Sequence, residues 1–102
     1  MKEEPFGPLV PILTFKNFDE VIERANDNDL GLCSYLYTNS MDKAHIGSEK
    51  LETGCVAVNT GVVALAEAPF GGIKQTGYGR EGGSGAIKDY LNVKYTHMGL
   101  KI

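Results

Sequence analysis

The chain has 102 residues, which allows at most one small domain with a modest hydrophobic core. Its apolar fraction of 42%, its net charge of −3 and the lack of a Lys/Arg cluster exclude a nucleic-acid surface or an anionic membrane as the expected partner. Because the sequence contains neither a membrane-spanning apolar run nor a secretory signal, we predict a cytoplasmic protein.

The first part of the chain predicts a strand followed by a helix. Residues 9–15 form a short apolar run whose length favours a buried strand, and Pro11 indicates an edge position or a bulge. Asn17 is a suitable N-cap with Glu20 three residues later. The helix then shows apolar side chains at helical spacing, namely Phe18, Val21, Ile22 and Ala25.

The middle of the chain repeats this alternation. Residues 32–37 predict a second strand, residues 38–40 open a second helix that Gly54 ends, and residues 55–58 predict a third strand. Alternating strands and helices favour parallel strands with right-handed crossovers. The predicted fold class is therefore α/β, a partial Rossmann-like three-layer unit with three parallel strands and flanking helices.

A glycine-rich stretch at residues 69–81 dominates the remainder. Glycine occupies four of its thirteen positions, which is unfavourable inside a helix or strand and indicates sharp turns or close backbone approach. We predict a long glycine-rich loop over residues 60–84, a short helix over residues 86–91 and an extended C-terminal strand from residue 92. A loop of this length is uncommon in a small domain, so the chain is expected to be part of a larger body.

Two glycines of this stretch, Gly77 and Gly79, together with Gly82 just after it, also match the G-x-G-x-x-G pattern of dinucleotide-binding loops. That pattern binds the pyrophosphate of a dinucleotide only when it follows an apolar strand and opens a helix, with an acidic residue about 20 positions later. Polar residues 74–76 precede the glycines, and the sequence ends at residue 102. We therefore favour a structural loop over a phosphate-binding loop.

The two cysteines, Cys33 and Cys55, both lie in apolar, strand-like segments. Neither has a neighbouring His or acidic cluster that would indicate a zinc site, nor the electropositive setting that would activate a thiolate. We interpret both as small buried side chains, with a disulfide as the alternative.

Four motifs resemble, in order and spacing, motifs of aldehyde dehydrogenases: residues 3–8 (EEPFGP), 25–32 (AND followed by GL), 54–59 (GCVAVN) and 69–81 (PFGGIKQTGYGRE). The resemblance implies the C-terminal portion of such an enzyme, closest to the succinate-semialdehyde dehydrogenase branch. It assigns residues 1–91 to the catalytic domain and residues 92–102 to an oligomerisation strand of a homo-oligomer.

In that family a cysteine thiolate attacks the aldehyde, a hydride leaves to NAD or NADP, and a glutamate activates the hydrolytic water. The motifs that carry this cysteine and this glutamate, of the types Gly-Gln-x-Cys and Glu-Leu-Gly-Gly, are absent from this sequence. We therefore predict no catalytic residue in this chain. NAD or NADP belongs to the complete enzyme, and neither is expected to bind tightly to this chain alone.

The resemblance does imply site residues. Glu4 aligns with the glutamate that hydrogen-bonds the nicotinamide ribose, and Phe6 with the aromatic near the nicotinamide ring. Phe70 aligns with an aromatic of the substrate pocket. Ala64 stands where the succinate-semialdehyde branch has a serine that holds the substrate carboxylate, and Glu67 adds a nearby negative charge, so a related semialdehyde or an aliphatic aldehyde is expected. The alternative interpretations are that Glu4 is a solvated carboxylate and that Phe6 and Phe70 serve packing alone.

The function predicted from these observations is oxidation of an aldehyde by an NAD(P)-dependent enzyme to which this chain contributes its C-terminal part. The expected partners are the missing N-terminal part of the enzyme or sibling subunits. The alternative is a truncated, non-catalytic module that binds a sibling subunit through its tail strand. A gene product without a role of its own is a third possibility.

Overall fold

Two α-helices, two small pairs of strands and one short 3-10 helix form the regular secondary structure of the chain. The computed structural model describes residues 3–101. In chain order, its elements are α1 (Phe18–Asn26), β1 (Leu30–Gly31), β2 (Cys33–Leu36), α2 (Met41–Lys50), β3 (Cys55–Val58), β4 (Ile73–Lys74) and a 3-10 helix (Ala86–Tyr90). Strands β2 and β3 pair in parallel, whereas β1 and β4 pair antiparallel.

Helix α1 begins as the sequence predicts. The Asn17 side chain accepts a hydrogen bond from the Glu20 amide at 2.9 Å, and the Glu20 carboxylate accepts one from the Lys16 amide at 2.9 Å. Arg24 donates to the other Glu20 oxygen at 3.2 Å. The pKa of Glu20 is lowered from its ordinary value, chiefly by the Lys16 amide and then by Arg24. The N-terminal turn is thus closed by side-chain acceptors, as a helix start requires.

Ser40 is the N-cap of helix α2, and its hydroxyl accepts a hydrogen bond from the Lys43 amide at 3.3 Å. The helix packs against β2 at Gly47, where an added Cβ would lie 2.6 Å from a methyl group of Leu36 and 3.4 Å from the ring of Phe18. The small residue therefore lets α2, β2 and the start of α1 approach closely. The helix ends at Lys50, a few residues before the predicted stop at Gly54.

The parallel strands are fewer than predicted. Residues 9–15 are exposed and belong to no strand, so the predicted set of three parallel strands is wrong for the described chain, which has two. Residues 9–15 have suitable composition, but a strand forms only when a neighbouring strand accepts and donates its backbone hydrogen bonds. Strands β1 and β4 were missed because two residues leave no periodic pattern. The short helix at the C-terminal end is confirmed as a 3-10 helix.

The hydrophobic core of this arrangement is small. Ile22 and Ala57, at 7% and 4% exposure, are the buried apolar side chains among residues 3–101. The radius of gyration is 19.3 Å, with extents of 75 × 33 × 24 Å, whereas a compact domain of this length has about 13 Å. Large apolar side chains are exposed towards both ends and in the glycine-rich segment, among them Phe6, Val10, Ile12, Tyr78, Val93, Tyr95 and Leu100.

A polar cluster joins the helices to the glycine-rich segment. The Lys74 ammonium donates to the carbonyl oxygens of Asn26 and Asn28, each at 3.0 Å, and pairs with Glu52 at 2.7 Å. The Asn26 amide group donates to the Lys50 carbonyl at 2.8 Å, and its oxygen accepts from the Glu52 amide at 2.9 Å. We call this cluster the Asn26–Lys74–Glu52 junction. It ties the ends of α1 and α2 to β4.

The junction holds Lys74 in an unusual backbone conformation. Its φ is +56°, in the left-handed region that costs a non-glycine residue about 1–2 kcal/mol. Neighbouring hydrogen bonds keep the segment in place: the Gly31 amide donates to the Thr76 hydroxyl at 2.8 Å, and the Gln75 amide to the Asp29 carbonyl at 2.9 Å. The strained residue is therefore fixed by its own ammonium contacts and by the hydrogen bonds of the two residues that follow it.

Replacing Lys74 tests the junction. We expect Lys74→Met to lower the free energy of unfolding by about 1–3 kcal/mol, because a charged donor is removed from two carbonyls and a carboxylate. Lys43→Met is the matched control, since the described structure gives the Lys43 side chain no ion pair. Urea unfolding followed by circular dichroism measures the difference. Equal midpoints for the two variants would contradict this role of Lys74.

Candidate functional site

The glycine-rich segment, residues 69–81, lies directly against the start of β3. A Cβ added to Gly54 would lie 1.8 Å from the carbonyl oxygen of Gly71, a distance that no side chain tolerates. The thiol of Cys55 contacts the same oxygen at 3.7 Å. Glycine at position 54 therefore permits a close backbone contact, which positions Gly71 of the segment against the start of β3.

The segment closes on itself through a short bridge. Phe70 and Glu81 exchange two backbone hydrogen bonds of 2.7 Å each. Inside the bridge, the Arg80 guanidinium donates to the carbonyls of Gly72 and Gly79 at 2.9 and 2.8 Å. The Arg80 amide also donates to the Asp89 carboxylate at 3.2 Å, which connects the segment to the 3-10 helix.

These contacts enclose a shallow cavity of about 270 Å³ beside Phe70. Its polar lining includes Arg80, Glu81 and Asp89, and Tyr78 and Tyr90 add to the aromatic lining that Phe70 begins. The Arg80 guanidinium is already engaged by carbonyl oxygens, so the cavity combines aromatic side chains with a similar share of polar surface. A second open cavity of about 770 Å³ borders the Asn26–Lys74–Glu52 junction.

The structure places the predicted site residues in different surroundings. Phe70 lines the 270 Å³ cavity, whereas Glu4, Phe6 and Ala64 are not part of its lining. Glu4 and Phe6 lie in the irregular N-terminal segment, and the Phe6 side chain is 94% exposed. Ala64 is exposed in the loop after β3. The roles implied for these four residues stay predictions.

The glycines of the apparent dinucleotide pattern sit in turns. Gly77, Gly79 and Gly82 have φ values of +125°, +84° and +67°. The preceding strand β4 has two residues, and the following helix is a short 3-10 helix that starts at Ala86. This context lacks the strand and α-helix that a phosphate-binding loop needs, and it agrees with the structural-loop interpretation.

Sequence reasoning missed two features near this segment. The first is the Lys74 contact set, since nothing in the sequence links position 74 to positions 26 and 52. The second is the juxtaposition of Cys33 and Cys55, which face each other across β2 and β3. Both thiols are free and half-buried. Burial raises the pKa of the Cys33 thiol, and the neighbouring Cys55 adds to the effect.

Comparison with known proteins gives the family. The profile described as the aldehyde dehydrogenase family matches residues 1–96, nearly the whole chain. The chain belongs to the aldehyde dehydrogenase family. Its α/β elements and its glycine-rich segment are thus parts of an aldehyde dehydrogenase fold.

The curated relatives of this aldehyde dehydrogenase chain are much longer proteins. It is 48% identical over 99 residues to the NADP-dependent succinate-semialdehyde dehydrogenase GabD of Escherichia coli, covering 97% of this chain and 20% of that protein. It is 50% identical over 94 residues to a glutarate-semialdehyde dehydrogenase of Pseudomonas putida, covering 92% of this chain and 20% of the relative. The chain therefore spans about a fifth of the length of the curated relatives it matches.

Solved structures agree with the family assignment. An NADP-dependent enzyme of Escherichia coli superposes with a TM-score of 0.89 at 47% identity, over 97% of this chain and 21% of that one. A succinate-semialdehyde dehydrogenase of Burkholderia pseudomallei gives a TM-score of 0.83 at 46% identity, over 87% and 18%. Semialdehyde dehydrogenases are thus among the relatives of this aldehyde dehydrogenase chain.

The described part of the chain lacks a metal-binding cluster and a membrane-spanning helix. Residues 3–101 contain no group of three or more His, Cys, Asp or Glu side chains that would hold a metal ion. Over the same range, neither helix has the length and apolar composition needed to cross a membrane.

A glycine substitution tests the contact that positions the segment. Gly54→Ala places a methyl group on the Gly71 carbonyl, so we expect it to lower the free energy of unfolding by about 2–3 kcal/mol. Gly61→Ala is the matched control, because an added Cβ there has no atom within 4 Å. Chemical unfolding of both variants measures the difference, and a Gly54→Ala variant as stable as Gly61→Ala would contradict the contact.

Proposed function

We propose that this chain acts as the C-terminal part of an NAD(P)-dependent aldehyde dehydrogenase that oxidises a semialdehyde or an aliphatic aldehyde to a carboxylic acid. The observation that carries the proposal is the match to semialdehyde dehydrogenases along nearly the whole chain, over only about a fifth of their length. The exposed apolar side chains add support, because apolar surface of this extent is normally covered by another body.

The cofactor site is proposed to be shared with the rest of the enzyme. NAD(P), when bound, accepts the hydride of the oxidised aldehyde. The Glu4 carboxylate is an acceptor of the kind that binds two ribose hydroxyls, and Phe6 offers an exposed aromatic face for the nicotinamide ring. These residues fit one edge of such a site. They provide no enclosure of their own, so the remaining contacts are proposed to come from the other part of the catalytic body.

The substrate side is proposed to include Phe70 and Ala64. Phe70 is held by its bridge to Glu81 and presents an aromatic wall. Ala64 has no hydroxyl that would donate to a substrate carboxylate, and Glu67 nearby carries a charge that would repel one. The proposed substrate therefore has its polar end oriented away from Ala64, or is an aliphatic aldehyde without a second charged end.

The tail is proposed to serve assembly. Residues 92–101 are exposed, and the structure gives them no strand partner within the described chain. An exposed extended segment gains main-chain hydrogen bonds when it joins the sheet of a sibling subunit. We thus propose residues 1–91 as catalytic-domain chain and residues 92–102 as an oligomerisation strand, in a cytoplasmic homo-oligomer; residues 1, 2 and 102 lie outside the described residues.

A second candidate is a non-catalytic module that binds a sibling subunit through the same tail. The observation that supports it is the exposed tail, because residues 92–101 have no strand partner within the described chain. Both candidates predict that the isolated chain has no dehydrogenase activity. They differ in whether this chain completes an active site.

A chimeric enzyme separates the two candidates. In the chimera, this chain replaces the matched C-terminal fifth of the Escherichia coli succinate-semialdehyde dehydrogenase. We expect NADP-dependent oxidation of a semialdehyde related to succinate semialdehyde, or of an aliphatic aldehyde, measured as reduced cofactor. In that background, Glu4→Ala is expected to lower kcat/KM for the cofactor about tenfold, which corresponds to one or two lost hydrogen bonds.

Glu3→Ala is the matched control, since it removes a neighbouring carboxylate to which no role is assigned. A chimera that folds, assembles and binds NADP but oxidises none of the aldehydes would contradict the proposed function and favour the binding module. Equal kinetic constants for the Glu4 and Glu3 variants would contradict the role proposed for Glu4.

A further inference from the structure

The two thiols lie side by side in the parallel sheet. Cys33 of β2 and Cys55 of β3 are direct partners in the strand register. Neighbouring strands are about 4.8 Å apart, and disulfides join Cα atoms that are roughly 4.4–6.8 Å apart. Partners in a parallel register also project their side chains from the same face of the sheet. The register thus gives the two Cα atoms a spacing that a disulfide can span without a change of strand pairing.

One of these thiols also contacts the glycine-rich segment. The Cys55 thiol donates to the carbonyl oxygen of Gly71 at 3.7 Å, next to the close contact between Gly54 and Gly71. The described structure gives Cys33 no such contact with the segment, and burial raises the pKa of its thiol. In the reduced pair, Cys55 therefore contacts the glycine-rich segment, whereas Cys33 is available for oxidation.

We propose that Cys33 and Cys55 form an oxidation site at which a peroxide creates an intramolecular disulfide and thereby releases the glycine-rich segment. The thiolate of one cysteine attacks a peroxide oxygen, the O–O bond breaks, and a sulfenic acid and hydroxide form. The second thiolate attacks the sulfenic sulfur, so that an S–S bond forms, the S–O bond breaks and hydroxide leaves; the two hydroxides take up the two protons that the thiols released. In total the two thiols lose two electrons and two protons, and hydrogen peroxide is reduced to two molecules of water.

The disulfide changes the contact at Gly71. A disulfide has no S–H group, so the Gly71 carbonyl loses the donor that Cys55 supplied. The bond also fixes the Cys55 sulfur towards Cys33 and away from the segment. Because Phe70 precedes Gly71, the effect is expected first in the bridge between Phe70 and Glu81. This inference concerns the thiols of the chain and does not depend on the proposed dehydrogenase function.

The first part of the test follows the chemistry. The purified chain is treated with hydrogen peroxide, and its free thiols, intact mass and peptide map are measured under non-reducing conditions. We expect loss of both thiols, a mass lower by two hydrogen atoms, a peptide that joins positions 33 and 55, and full reversal by dithiothreitol. Neither C33S nor C55S is expected to lose two hydrogen atoms. Independent overoxidation of the two thiols, or disulfides between chains at the same dose, would overturn the proposal.

The second part follows the loop by hydrogen exchange over residues 69–76. We expect oxidation to accelerate exchange severalfold in the wild-type chain but not in C33S, which keeps the Cys55 thiol and cannot form the bond. C55S keeps a hydroxyl donor for Gly71 and is expected to exchange slowly with or without peroxide. C55A lacks a donor and is expected to exchange rapidly under both conditions. Equal exchange in C55S and C55A, or no change in the oxidised wild-type chain, would overturn the link to the loop.

Discussion

The ammonium group of Lys74 is where three parts of this chain meet. It binds two carbonyl oxygens at the end of α1 and the carboxylate of Glu52 beyond α2, while its own backbone pairs with β1. A charge that is 24% exposed requires such partners, and the carbonyls require a donor. Because each group satisfies the others, the glycine-rich segment is fixed to a helix pair whose own hydrophobic core is small.

The Asn26–Lys74–Glu52 junction helps to determine where the candidate site lies. The chain passes from Lys74 back to Gly71, which lies on Gly54, and then to the Phe70 bridge. Polar anchoring at one end and close backbone contact at the other hold Phe70 where an aromatic wall is proposed. Large apolar side chains elsewhere in the described chain remain exposed, and exposed apolar surface of this kind usually marks an interface.

The helices could be predicted from the sequence because their signals are local. Asn17 with Glu20, and Ser40 with its neighbours, cap helices whatever lies around them. The family resemblance was equally accessible, since its motifs are short and ordered. The strand predicted at residues 9–15 was wrong because strand formation depends on a partner strand, which composition does not specify. The Lys74 contacts and the Cys33–Cys55 register were not predictable because both join residues more than 20 positions apart.

Amide hydrogen exchange in the Lys74→Met variant tests the central claim most directly. If the junction anchors the glycine-rich segment, the Gly31 and Gln75 amides, which bond Thr76 and Asp29, should exchange about tenfold faster than in Lys43→Met. The amides of β3 should change little. Unchanged exchange at Gly31 and Gln75, or equal acceleration along the whole chain, would contradict the account.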